Sequence, residues 1–205
     1  MKAKEIIEML ETPENDKMSL KSYISAQAST TDIVNSLRLA TDTHTQQILS
    51  DIAGDRYEEA AVPMLIEYLQ NSSPGVRGAA ADALGKIGDR RAGSMLMERF
   101  DQLEKDRGVR HMLATALGAC GYREAIPLLI EALNDSDPVL RGCAAWGLGA
   151  MGAESAEDAL RTALQHETDN FAKDRIREKL NAIVLVNQAL NIEDPVELLT
   201  RSMNL

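Results

Sequence analysis

Aromatic residues are nearly missing from this chain, at 3% of 205 residues, with one Trp, two Phe and four Tyr. A core without them must be aliphatic, and the sequence supplies Ala, Leu, Ile, Val and nine Met for it. Cysteine is equally scarce. Cys120 and Cys143 give neither a disulfide framework nor a zinc cluster, and their surroundings of Ala, Leu and Gly mark them as small core residues. No stretch approaches the ~20 apolar residues that span a bilayer. Met1-Lys2-Ala3-Lys4-Glu5-Ile6-Ile7-Glu8 has no apolar run of signal-peptide length. Basic charge is also in deficit. A net charge of −10 and a pI near 4.8 leave no footprint for a phosphate backbone. These absences predict a cytoplasmic protein that binds neither nucleic acid nor membrane.

The acid is unevenly placed. Residues 1–58 carry 6 basic and 10 acidic side chains, residues 59–123 carry 9 and 8, residues 124–185 carry 6 and 11, and the last twenty carry 1 and 3. Both ends are acidic and the middle is near neutral. Such ends solvate the chain and steer basic partners.

One phrase occurs three times. Val76-Arg77-Gly78-Ala79-Ala80-Ala81-Asp82-Ala83-Leu84-Gly85-Lys86-Ile87-Gly88 returns from Val109-Arg110 to Gly121, and again from Leu140-Arg141 to Gly152. The arginines lie 33 and then 31 residues apart. A fixed period of this size marks stacked units, each too small to bury its own apolar face. Within a unit, Val62, Leu65, Ile66 and Leu69 share one face of a first helix that tolerates Pro63 in its first turn. Asn71-Ser72-Ser73-Pro74-Gly75 is a turn, with Ser72 or Ser73 as cap for a second helix. Val76, Ala80, Ala83, Leu84 and Ile87 form the apolar stripe of that helix, which ends at Gly88 in a left-handed cap. Asp137 before Pro138 caps the matching helix of the next-but-one unit. The middle unit replaces the proline start with Ala92-Gly93-Ser94, and its turn near Leu103–Gly108 is two residues longer.

Weaker units flank these. Ala156–Leu164 and Lys173–Ile183 form a degenerate trailing unit. Upstream, Leu49-Ser50-Asp51-Ile52-Ala53-Gly54-Asp55-Arg56 echoes Leu84 to Arg90, with Ile33–Leu39 as its first helix. The expected organisation is 1–58 as N-terminal helices and a leading capping repeat, then repeats at 59–90, 91–123, 124–154 and 155–185. Residues 186–205 follow as a C-terminal capping helix, with Asp194-Pro195-Val196-Glu197 as its start. Glu11-Thr12-Pro13-Glu14-Asn15-Asp16 reads as a loop or the end of an arm.

The phrase Val-Arg-x-x-Ala-Ala-x-Ala-Leu-Gly-x-Ile-Gly-Asp resembles HEAT repeats, of the short subtype named after phycobilisome lyases. The resemblance is strong over 59–154 and weak over 30–58 and 155–185. It implies an all-α, right-handed α-solenoid of about five helical hairpins. Its relatives span bilin lyase subunits, scaffolds, iron hydroxylases, DNA glycosylase relatives and immunity-type proteins, so it specifies fold more than function.

The resemblance also implies that variable positions of the second helices line a concave groove. Gly78, His111 and Gly142 share one such position; Asp82, Thr115 and Trp146 share another; Lys86, Ala119 and Ala150 share a third. Asp82, Lys86, His111, Thr115 and Trp146 are therefore the candidate partner-binding residues, with Trp146 as anchor. Arg77, Arg110 and Arg141 recur at one position, which fits a structural role in bonding turn carbonyls or an Asp of the preceding loop.

Catalytic signatures are absent. The iron-hydroxylase type repeats His-Glu pairs, whereas this chain has one, His166-Glu167, too few for a di-metal centre. No nucleophile set or phosphate-cradling loop follows from spacing. The expectation is a non-enzymatic interaction module without cofactor or metal, monomeric or weakly oligomeric, that binds a protein partner. Two narrower readings compete with it: a bilin-lyase-like or chaperone-like accessory protein, and an acidic immunity-type inhibitor of a basic toxin or nuclease.

Overall fold

A computed structural model describes residues 1–12 and 16–190, and no strand occurs among them. Two compact units divide the chain, Met1–Tyr122 and a second beginning at Arg123. The first unit holds α1 (Ala3–Glu11), α2 (Lys17–Gln27), α3 (Thr30–Leu39), α4 (Thr43–Asp55), α5 (Val62–Tyr68), α6 (Pro74–Ile87), α7 (Gly93–Glu98) and α8 (Arg107–Ala119). The second holds α9 (Ile126–Ala132), α10 (Pro138–Ala150), α11 (Glu157–His166) and α12 (Asn170–Leu190). From α3 onward, successive helices pair into five hairpins. Second helices pack side by side: α4 on α6 and α6 on α8 in the first unit, α10 on α12 in the second.

The period sets the interior. Val62, Leu65 and Leu69 of the α5 hairpin and Val76, Ala80, Ala83 and Leu84 of α6 are buried, as are Leu96, Leu113, Leu117, Leu129 and Leu148 at later positions. Each buried Leu contributes about 2 kcal/mol relative to an exposed one. Tyr68 joins this core because its hydroxyl donates 2.5 Å to the Leu37 carbonyl, and burial pushes its pKa up to about 12. Cys120 is buried with its thiol donating to Leu84 O at 3.5 Å, and burial pushes that thiol up to about 11.

Small residues set how closely second helices approach. A Cβ built on Gly54 would lie 2.8 Å from the Ala83 Cα, and one on Gly85 would lie 3.1 Å from the Ala116 Cα. These equivalent contacts fix the register of the leading repeat. Gly54 corresponds to Gly85, not to Gly88 as the echo of Leu84–Arg90 suggests. Tyr57 (φ 55°) then occupies the left-handed slot taken by Gly88, Gly121 and Gly152 in the other units. The misreading has a simple cause: without its glycine, the leading repeat offers Gly54 as a false match.

One helix cap differs from expectation. Ser73 precedes α6 but its hydroxyl makes no cap; instead Asn71 Oδ1 accepts the Ser73 N–H at 2.9 Å and shapes the turn. Asp137 does cap α10, accepting from the Val139 N–H. The two extra residues of the middle unit are absorbed by a π-type turn, Arg99–Leu103, that widens the end of α7. Gly93 replaces the larger residue of the other first helices because the Tyr122 ring fills its space; a Cβ there would lie 2.0 Å from that ring. The expected capping helix at Asp194–Glu197 and the Pro13–Asn15 part of the N-terminal loop lie outside the described residues.

Candidate functional site

The predicted site residues separate by unit. Asp82 and Lys86 sit one turn apart on α6 and pair directly, Nζ to Oδ2 at 2.9 Å. Lys86 also reaches Asp55 of α4 at 2.7 Å. Asp55 in turn meets Lys21 of α2 at 2.9 Å, and Lys21 touches Asp51 at 3.5 Å. Three acids and two lysines on three helices thus satisfy one another. The Lys86 bond holds the Asp55 carboxyl below its ordinary range. Desolvation disfavours the Lys86 charge, but Asp55 and Asp82 outweigh it and raise its pKa.

Thr115 and His111 lie on α8. The Thr115 hydroxyl donates back to the carbonyls of Met112 (2.9 Å) and His111 (3.3 Å), so its own helix satisfies it. Trp146 belongs to the second unit. It is half-buried on an α10 stripe that also carries Gly142 and Gly149. A Cβ on Gly142 would meet the Phe171 ring at 2.9 Å, and one on Gly149 would meet Lys179 at 2.8 Å. This stripe therefore faces α12, and Trp146 lies on it between the two contacts.

The recurring arginines have defined partners. Arg77 Nε and Nη2 donate to the two oxygens of Glu104 at 2.6 and 2.8 Å, while Nη1 donates to the carbonyls of Asn71 (2.9 Å) and Ser72 (3.0 Å). Arg141 repeats this with Glu167 at 2.6 and 2.7 Å and with the Asp135 carbonyl at 2.8 Å. The turn carbonyls match the expectation, but the acid does not. It is a Glu in the following turn, not an Asp of the preceding loop, and both of its carboxylate oxygens meet the guanidinium fork. Arg110 places its guanidinium 5.4 Å above the Phe100 ring.

Both glutamates are consumed by structure. Desolvation disfavours the Glu104 charge, yet Arg77, the Asp106 N–H and Arg99 bring its pKa down to about 2. Arg141 foremost, against desolvation and helped by backbone N–H groups of Asp169 and Thr168, brings Glu167 down to about 2. Glu167 accepts four hydrogen bonds in all, two from the Arg141 fork and two from the Thr168 and Asp169 N–H groups. No group of three His, Cys, Asp or Glu side chains able to hold a metal occurs among the described residues. A cleft of about 310 Å³ opens beside this pair, lined by Asp135, Arg141, Thr162, His166 and Thr168 among others.

Sequence reasoning missed Asp51, Asp55, Lys21, Phe171 and Arg175. The period carried a signal for the first two, since Asp51 and Asp55 precede Asp82 and Lys86 by 31 residues. Phe171 and Arg175 stand on a helix without the repeat phrase, so nothing in the period marked them.

Tandem helical hairpins joined by Arg–Glu latches define a helical-repeat protein. The HEAT repeats family matches residues 32–107 and 100–181, and this chain belongs to it. No curated protein matches the chain at a significant level. Among solved structures it is similar to the Escherichia coli protein YibA, at 17% identity and a TM-score of 0.65, covering 95% of this chain and 77% of that one. It is also similar to a designed armadillo repeat protein in complex with the peptide (KR)4, at 15% identity and a TM-score of 0.58, covering 89% and 100%. A third likeness is to the complex of CpcE and CpcF of phycocyanin lyase from Nostoc sp. PCC7120, at 20% identity and a TM-score of 0.49, covering 89% and 95%. The fold is accordingly that of an all-α solenoid of HEAT-like hairpins. No helix among the described residues is long and apolar enough to cross a membrane.

Proposed function

We propose that this chain is a non-catalytic protein-interaction module, acting in the cytoplasm as a monomer or weak oligomer. It holds a partner on its second helices, at Asp82, Lys86, His111 and Thr115 in the first unit and Trp146 in the second. The observation that carries this reading is the side-by-side packing of those helices through small residues. Gly54 against Ala83 and Gly85 against Ala116 bring successive helices close. Such packing spaces equivalent side chains along a surface, which is how repeat proteins build extended binding faces. The armadillo neighbour with its bound peptide supports the same use of a related fold.

The test is affinity capture from the native source, followed by cross-link mapping on the full chain. Cross-links concentrated on α6, α8 and α10, and capture weakened by Trp146→Ala, are expected. Cross-links confined to α5, α7, α9 and α11 would overturn the reading, as would a purified chain that turns over a bound chromophore.

A further inference from the structure

The two units treat the same repeat positions differently. In the first unit, Asp51, Asp55, Asp82, Lys21 and Lys86 neutralise one another across three helices. In the second, the corresponding α10 stripe carries Val139, Gly142, Trp146 and Gly149, with no charge of its own. Its glycines let α12 side chains lie directly on the α10 backbone. Phe171 rests on Gly142 and remains 46% exposed, while Val139, one turn earlier, is 38% exposed. An exposed Phe, an exposed Val and a half-buried Trp in one neighbourhood stand out in a chain with 3% aromatics.

The part of α12 beside this patch has a basic excess, within a unit that is otherwise acidic. Residues 170–180 of α12 carry Lys173, Arg175, Arg177 and Lys179 against Asp174 and Glu178, in a chain whose net charge is −10. Arg177 pairs with Asp174 and Lys179 with Glu178. Arg175 makes no ion pair among the described residues. Its guanidinium lies 5.6 Å from the Phe171 ring centroid, and its stem is one of the groups a Cβ on Gly142 would meet. A cation stacked on an exposed ring keeps its N–H donors at the ring's edge, where they can bind a carboxylate bidentately.

We propose that the α10–α12 face of the second unit is a docking site for an acidic peptide segment bearing apolar side chains. Its apolar residues cover Val139, Trp146 and Phe171, and a carboxylate engages Arg175. This deepens the interaction reading and rests on it: the hot spot is aromatic–cationic, of the residue types that dominate interface energetics. Charge complementarity selects the partner, because acidic segments are repelled by most of this surface and attracted to this part of it.

Trp146 is the sole tryptophan of these 205 residues, so its emission reads the site directly. The probe is a synthetic peptide alternating Asp/Glu with Leu/Phe, titrated beside its Lys/Arg counterpart of the same length. A saturable blue shift with the acidic peptide alone is expected. Arg175→Glu should weaken it about tenfold, and Phe171→Ala should weaken it while leaving the circular dichroism unchanged. Full binding by Arg175→Glu, or no shift with the acidic peptide in wild type, would overturn the proposal. A shift with the Lys/Arg peptide instead would also overturn it while leaving the interaction reading standing. The wild-type comparison between the two peptides decides the matter even if a variant fails to fold.

Discussion

Arg77 and Glu104 are 27 residues apart in the chain and 2.6 Å apart in space. The guanidinium ties together two successive turns: Glu104 of the later one through its fork, and Asn71 and Ser72 of its own through carbonyls. Glu104 in turn accepts from the N–H groups of Lys105 and Asp106, shaping the entry to α8. Arg141 and Glu167 repeat the device before α12. One charge pair therefore sets both the packing of neighbouring hairpins and the start of the next second helix.

Removing one half of this latch should be costly. Glu104→Ala leaves Arg77 largely buried without its partner, and we expect a loss of about 3 kcal/mol. Glu104→Gln keeps the shape and one acceptor, so it should lose less. Urea denaturation of the three proteins, compared at equal m-value, checks the order.

Acid should loosen both units. The Glu104 and Glu167 pKa values are lowered from 4.5 to about 2 in the fold. A carboxyl depressed in this way stabilises the fold fully above its unfolded pKa, and that contribution is lost as pH falls through the folded one. Stability should therefore decline between about pH 5 and pH 2. Denaturation curves across that window should show a shallower slope for a Glu104→Gln, Glu167→Gln double variant, and an unchanged slope would contradict the assignment.

Gly54→Ala pits helix propensity against packing. Alanine favours a helix interior by about 1 kcal/mol over glycine. Here the new Cβ lies 2.8 Å from the Ala83 Cα, a backbone atom that moves only if α4 and α6 separate. Overpacking of this kind costs about 1–3 kcal/mol, so we expect net destabilisation, read as a lower Tm.

Tyr57→Gly should act in the opposite direction. Tyr57 holds φ at 55° and is 67% exposed, so little packing is lost with its ring. Left-handed backbone costs a non-glycine residue about 1 kcal/mol, which glycine at this slot removes in part. A rise in Tm is expected from calorimetry.

Much of the architecture was legible because stacking leaves a linear trace. Leu65, Leu84 and Leu113 are apolar at the spacing that buries one face, and Gly88, Gly121 and Gly152 end their helices where only a left-handed residue fits. Those signals are local, each contained within one helix and its cap. The leading repeat was misregistered for the same reason, since Tyr57 lacks the glycine that marks the slot elsewhere.

The candidate site was less legible. That Asp82 and Lys86 face each other follows from a one-turn spacing, but Asp55 and Lys21 enter through packing of α4 and α2. The acid for Arg77 depends on how the π-type turn Arg99–Leu103 delivers Glu104, and no pattern around Glu104 announces that. Trp146 shares its repeat position with Asp82 and Thr115, and nothing in that alignment announces that Gly142 and Gly149 open α10 to Phe171 and Lys179.

By itself, then, the sequence determined the period, the helical hairpins, the aliphatic interior and the positions that vary between repeats. Only the tertiary structure decided which varying residues pair with one another, as Asp82 and Lys86 do with Asp55. The reason is physical: periodicity is set by each helix alone, whereas a charge is paired or free according to groups about 30 residues away, brought near by packing.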